Sequence, residues 1–129
     1  MLSIKHVQTI VTEQFGLTCA QLLGRSHLPR IVLARHIAML LCLEMVRGAS
    51  LPVVGQWFGR DHTTVLHARE RMRRRIAVDR RFAKQVEALR QIISKAARSL
   101  RHHRGLIKRQ AWRSVVSGSP PTARVARSK

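Results

Sequence analysis

Apolar residues recur at helical spacing along most of the chain. Val7, Ile10, Val11 and Phe15 fall on one face, with Ser3 as a candidate cap before them and Gly16 as a stop after them. Thr18 can cap a short turn of helix through Leu22 and Leu23, ended by Gly24. The segment from Gly24 to Pro29 reads as a loop. Pro29 suits the first turn of the next helix, where its missing N–H would be unpaired anyway. From roughly Arg30 to Arg47 the apolar positions, among them Ile31, Ile37, Ala38, Leu41 and Met45, lie on most sides. Such breadth predicts the central, most buried helix.

Ser50 caps a short helix with Leu51, Val54 and Phe58 on its apolar side; Pro52 is tolerated in its first turn and Gly59 ends it. Asp61 caps another, running to Val78, whose stripe is Val65, Ala68, Met72 and Ile76. Asp79 restarts the chain into a last helix striped by Phe82, Val86, Leu89, Ile93, Ala96 and Leu100. That stripe, over residues 82–100, packs on its own domain or forms a homodimer seam; fewer than three heptads favours its own domain. No segment alternates long enough to be a strand. The predicted fold class is all-α, a small helical bundle.

Charge changes the picture. The chain has 129 residues, with 25 Lys and Arg against six Asp and Glu, for a net charge of +19. Residues 1–100 hold 17 of the basic residues and all six acids; residues 101–129 hold eight basic residues and no acid. The expected organisation is a globular domain over residues 1–103 and a basic, disordered tail over 104–129, rich in Ser, Gly, Pro, Ala and Arg. So cationic a chain seeks a polyanion, either nucleic acid or an anionic membrane surface. The longest apolar run, Ile37 to Leu43, is too short for a membrane span. The first ten residues lack a signal-peptide core, and a cytoplasmic, nucleoid-associated protein is expected. Cys19 and Cys42 read as two buried thiols.

The helices Ser50–Phe58 and Asp61–Val78, joined by a tight turn containing Gly59, have helix-turn-helix architecture. In such a pair the second helix meets the DNA major groove with its N-terminal residues. Arg60, Asp61, His62, Thr63 and Thr64 cluster there. An Asp carboxylate can accept from a cytosine amino group, and a Thr methyl can touch a thymine methyl. Thr63, His67, Arg71 and Arg74 continue one polar face opposite the apolar stripe, and Arg71 with Arg73–Arg75 can track phosphates. The residues alone leave three readings open: specific DNA binding, nonspecific polyanion binding, or an N-cap beside a solvated arginine face.

"GRDHTTVLHA" (Gly59 to Ala68), "IVLARHIAML" (Ile31 to Leu40) and "SLPVVGQWFG" (Ser50 to Gly59) resemble the C-terminal DNA-binding domain of the bacterial replication initiator DnaA. The resemblance runs from about Ile4 to Ile93. It implies a helical bundle whose helix-turn-helix reads a short box in double-stranded DNA. At matching positions it implies base contacts by Asp61, His62 and Thr63, with Thr64 beside them and Pro52 approaching the groove from the preceding helix. Arg60 and Arg35 would hold phosphate. Arg25, Arg30, Arg71 and Arg74 are the further phosphate candidates.

The chain departs from the family pattern at three places. Only Gly59 separates Phe58 from Arg60, where the family has two glycines. His27 occupies the place of a minor-groove arginine in the loop of Gly24, Arg25, Ser26, His27, Leu28 and Pro29. His36 replaces a usual Gln.

No G-x-x-x-x-G-K-[ST] phosphate loop is present, so no nucleotide and no cofactor are expected. The expectation is a reading head without the initiator's motor. His62 and His67 are five residues apart, the wrong spacing for metal ligands on a helix, and the pair His102–His103 reads as solvated or facing phosphate. Paired carboxylates and a nucleophile with its base are missing, so the chain does not read as an enzyme. Trp57 is expected to pack on the bundle, and Trp112 in the tail to stack on a base or insert at a lipid interface. Three functions follow in order. The first is a sequence-specific duplex-DNA-binding protein that occupies initiator-like boxes in replication control or transcription. The second is a nonspecific nucleoid- or RNA-associated basic protein driven by counterion release. The third is a cationic membrane-surface protein.

Overall fold

Among the described residues, every helix start but one is held by a polar side chain that takes up backbone groups the helix leaves open. The computed structural model describes residues 1–102, with side chains through residue 100. Ser3 accepts from the His6 N–H at 3.2 Å while His6 Nδ1 accepts from the Ser3 N–H at 3.0 Å, and this reciprocal pair opens α1 (Ile4–Phe15). Thr18 and Gln21 repeat the device before α2 (Cys19–Leu23). Pro29 is the first residue of α3 (Pro29–Met45), which has no side-chain cap. Ser50 accepts from Val53 N–H ahead of α4 (Leu51–Phe58), and Asp61 accepts from Thr63 N–H ahead of α5 (His62–Val78). Asp79 both closes α5 and caps α6 (Arg80–His102), accepting from Phe82 N–H at 3.0 Å. Among the described residues all regular structure is helical.

The core is built around α3, which packs against α1, α2, α4 and α5. Met39, Leu40, Leu41 and Cys42 are fully buried in sequence, so this helix has no wet side along its middle. α1 contributes Val7, Ile10 and Val11, α4 contributes Val54 and Phe58, and α5 contributes Val65, Ala68 and Met72. The α6 stripe from Phe82 to Leu100 is buried against its own bundle rather than left open as a seam. No helix among the described residues is long and apolar enough to cross a membrane.

Several details differ from the sequence reading. α3 ends at Met45 rather than at Arg47, because Val46 turns extended and Gly48 takes φ +80°. Trp57 is 46% exposed, since α4 turns only Val54, Gly55 and Phe58 inward. Ile76 is half-buried at the far end of α5. Cys42 is buried, and burial pushes its thiol well up from the ordinary value, but Cys19 is only half-buried; both are free. The expected basic tail over 104–129, with Trp112, and the side chains of the His102–His103 pair lie outside the described residues.

Candidate nucleic-acid interface

The turn between α4 and α5 sets the geometry of everything around it. α4 closes on Gly59 at φ +64°, a left-handed conformation that costs glycine nothing. Gly59 N–H donates to the Gln56 carbonyl, and Arg60 N–H reaches back to the Gly55 carbonyl at 2.8 Å. The chain therefore folds tightly against the end of α4. A Cβ on Gly55 would lie 2.5 Å from the Arg60 carbonyl oxygen and 3.5 Å from the His62 nitrogen. Glycine at position 55 is what lets α5 start so close to α4. Sequence reasoning passed over it; the signal was a glycine inside a predicted helix, which often marks a close backbone approach.

This turn presents Asp61, His62, Thr63 and Thr64 together at the start of α5, all exposed. The Asp61 carboxylate accepts from Thr63 N–H at 3.1 Å and also from the Thr63 hydroxyl. These bonds, the hydroxyl's first, hold the Asp61 carboxyl below its usual range. His62 Nδ1 lies 3.7 Å from the same carboxylate. The tip thus offers an ionised acceptor, an imidazole and two Thr methyls on one helical end. Pro52, on α4, is exposed as well.

The arginines divide into two groups. Arg35 is only 5% exposed. Its guanidinium donates to the carbonyls of Leu22 at 2.7 Å, Gly24 at 3.1 Å and Ser26 at 3.3 Å. A guanidinium committed to backbone carbonyls holds the loop. Arg60 is half-buried and donates to the Phe58 carbonyl at 2.9 Å and the Gly24 carbonyl at 2.6 Å. Arg30 donates to the Phe15 carbonyl. Arg25, Arg71 and Arg74 are exposed and make no hydrogen bond or ion pair among the described residues.

His27 is exposed at the mouth of a groove of about 930 Å³ between α1, α3, α5 and α6. The groove has an apolar floor that includes Leu33, Met72 and Ile92, and Arg30, His36 and Arg71 also line it. Burial, and then the charges of Arg71, Arg35 and Arg60, hold the His36 imidazole below its ordinary pKa. Three arginines around one imidazole mark this side as strongly positive. No group of three or more metal-ligating side chains occurs among the described residues.

Comparison with known proteins agrees with this arrangement. A family model described as "Bacterial dnaA protein helix-turn-helix" matches residues 4–72. The chromosomal replication initiator protein DnaA of Latilactobacillus sakei is 48% identical over 79 residues, covering 60% of this chain and 17% of that protein. The initiator of Corynebacterium jeikeium is 41% identical over 95 residues, 73% of this chain and 16% of that protein. That of Lactobacillus delbrueckii is 39% identical over 95 residues, 73% of this chain and 21% of that protein. The chain spans about a fifth of the length of these curated relatives.

Proposed function

The chain belongs to the bacterial DnaA helix-turn-helix family, a DNA-binding family, and from that premise we propose that it reads a specific sequence in double-stranded DNA. Asp61, His62, Thr63 and Thr64 face base edges from the start of α5, and Pro52 comes to the groove from α4. Arg25, Arg71 and Arg74 take phosphates. Arg60, Arg35 and Arg30 act mainly by holding the loop and the helix ends in place through the carbonyls they bind. His27 stands where the loop approaches the minor groove.

One observation carries the proposal: an ionised, exposed carboxylate sits at the centre of the DNA-facing tip of a protein with net charge +19. A surface built only to neutralise phosphate gains nothing from an acid there. A surface built to read bases gains an acceptor for a cytosine amino group. The sites are boxes of the kind the full initiators occupy, and the role is control of replication initiation or of transcription, exercised at the nucleoid. These 129 residues contain no phosphate-binding loop, so ATP leaves their DNA affinity unchanged.

Selection of bound sequences from a random duplex library tests this. Enrichment of one short motif is the expected result. Recovery of unselected sequence, at an affinity that depends on salt alone, would assign the protein to the nonspecific, counterion-release class instead.

A further inference from the structure

α6 carries a row of cations that neither the fold nor the reading tip uses. Its buried positions, Phe82, Val86, Leu89, Ile93 and Ala96, face the bundle. The opposite side presents Arg81, Lys84, Ala88, Gln91 and Lys95 at spacings of three and four, all exposed, with exposed Arg80 at its start. None of these four cations makes a hydrogen bond or ion pair among the described residues. The nearby acids are already engaged: Asp79 caps α6 and pairs with Arg75 at 3.8 Å, and Glu87 is bonded by Arg90 at 3.1 Å and Gln91 at 2.8 Å.

Helix stability does not explain the row either. Arg80 and Arg81 stand in the first turn of α6, where positive charge opposes the helix dipole.

The start of the row is also remote from the reading tip. α5 separates the two by 17 residues, a rise of about 25 Å. A duplex seated on Asp61–Thr64 meets the other end of that helix. From Arg81 to Lys95 the row spans about 21 Å of α6.

We propose that the outer face of α6 binds the phosphate backbone of a second duplex segment through Arg80, Arg81, Lys84 and Lys95, so that one chain joins two stretches of DNA. The contact is sequence-independent, since long flexible cations on a smooth helix face reach phosphates and not base edges. The inference rests on the duplex reading of α5.

The test uses the full chain and two duplexes. One, carrying the selected box, is immobilised; the other, of scrambled sequence, is labelled and free. The wild-type protein is expected to hold the labelled duplex on the support. The variant Arg80→Gln/Arg81→Gln/Lys84→Gln/Lys95→Gln is expected to lose that capture by at least tenfold, roughly what removing several phosphate contacts does at moderate salt. Its affinity for the box duplex alone should stay within about twofold, with an unchanged salt slope. Its melting temperature should be unchanged or higher, because the cations leave an unfavourable helix end. The Arg80→Lys/Arg81→Lys variant, which keeps the charge, should still capture.

No capture by wild type, while box binding holds, overturns this inference and leaves the reading of α5 standing. Undiminished capture by the Gln variant overturns it too, placing the bridge in self-association or in residues 103–129. A fall of three or four in the salt slope for the box duplex alone would put the row on the first duplex and overturn the second site. Failure to bind the box duplex at all overturns both.

Discussion

Arg35 and Arg60 donate to the same carbonyl oxygen, that of Gly24, at 3.1 and 2.6 Å. One comes from the buried middle of the molecule, the other from the turn that begins the reading helix. Gly24 starts the loop that carries Arg25 and His27. The loop and the start of α5 are therefore fastened at one atom by two cations. Burial first, and then the charge of Arg60, lowers the pKa of Arg35, a sign of how closely two guanidinium groups are held around this oxygen.

Removing Arg35 should loosen that fastening. Arg35→Met would leave the carbonyls of Leu22, Gly24 and Ser26 short of a donor in a partly dry site, at a cost of about 2–3 kcal/mol in urea unfolding. Arg35→Lys should not restore it, because one ammonium cannot span a set of four carbonyls. If instead Arg35 mainly contacts phosphate, Arg35→Lys keeps its stability and Arg35→Met lowers only DNA affinity.

Gly55 and Gly59 should respond in opposite order to their usual ranking by backbone conformation. Gly59 is the left-handed residue, yet a Cβ there meets nothing within 4 Å, so Gly59→Ala costs about 1–2 kcal/mol of conformational strain. Gly55 is helical, but its Cβ would press on the Arg60 carbonyl at 2.5 Å, and a backbone atom cannot swing aside. Gly55→Ala must push α5 away from α4, and is expected to lower duplex affinity more than Gly59→Ala does. Equal affinities for the two variants would show that the spacing of α4 and α5 does not matter to binding.

These two arginines and Gly55 also show where reading a sequence runs out. The caps Ser3, Thr18, Ser50 and Asp61, the stops Gly16 and Gly59, Pro29, and the all-round apolar character of α3 are local signals, each written within four residues of its effect. The tip Asp61–Thr64 was legible for the same reason, since it follows directly from a cap and a tight turn. The resemblance implies phosphate for Arg35 and Arg60, and nothing in their neighbourhood reveals that both also hold the Gly24 carbonyl, 11 and 36 residues away. The groove beside His36 was equally hidden, since its walls come from four helices and no single periodicity marks a gap between them.

His36 should make the protein sensitive to acid. Its pKa in the fold lies below the ordinary imidazole value of about 6.5, so the unfolded chain takes up the proton first as pH falls. The stabilising preference for the neutral ring is complete above about pH 6.5 and is lost progressively below it, toward the lowered value. Unfolding free energy measured from pH 7.5 to 5 should fall in the wild type and fall less in His36→Gln. His6 is lowered as well, by burial and then by the N-terminal ammonium, so a smaller slope should remain. An unchanged slope in His36→Gln would remove Arg71, Arg35 and Arg60 as its source. Bound DNA phosphate near Arg71 should raise the His36 pKa, which a histidine-resolved NMR titration would read directly.

His27→Arg asks whether the loop reaches DNA. An imidazole is shorter than a guanidinium, so the loop makes a weak approach to a narrow groove. The substitution should tighten binding to the selected box and sharpen A·T preference at flanking positions, where narrow minor grooves attract arginine. No change in either would mean that His27 belongs to the groove beside α3 and not to the DNA contact.

Thr63 and Arg74 separate base reading from charge. Both lie on the same outward face of α5, but Thr63 is uncharged and sits in the first turn, bonded to Asp61, whereas Arg74 is exposed three turns farther along. Thr63→Ala keeps every cation, so nonspecific affinity and the salt slope should stay as they are. It removes a methyl and the hydroxyl that helps fix the Asp61 carboxylate, and should cost roughly 1–3 kcal/mol of discrimination at one or two base pairs. Arg74→Ala should weaken selected and scrambled duplexes alike and reduce the slope of log K against log salt by about one. With about three phosphates neutralised by Arg25, Arg71 and Arg74, the wild-type slope should lie near −3. Titrating each variant against both duplexes at several salt concentrations gives all these quantities from one set of curves. If Thr63→Ala loses equal affinity on both duplexes, the start of α5 touches DNA without reading it, and the carboxylate of Asp61 serves its helix alone.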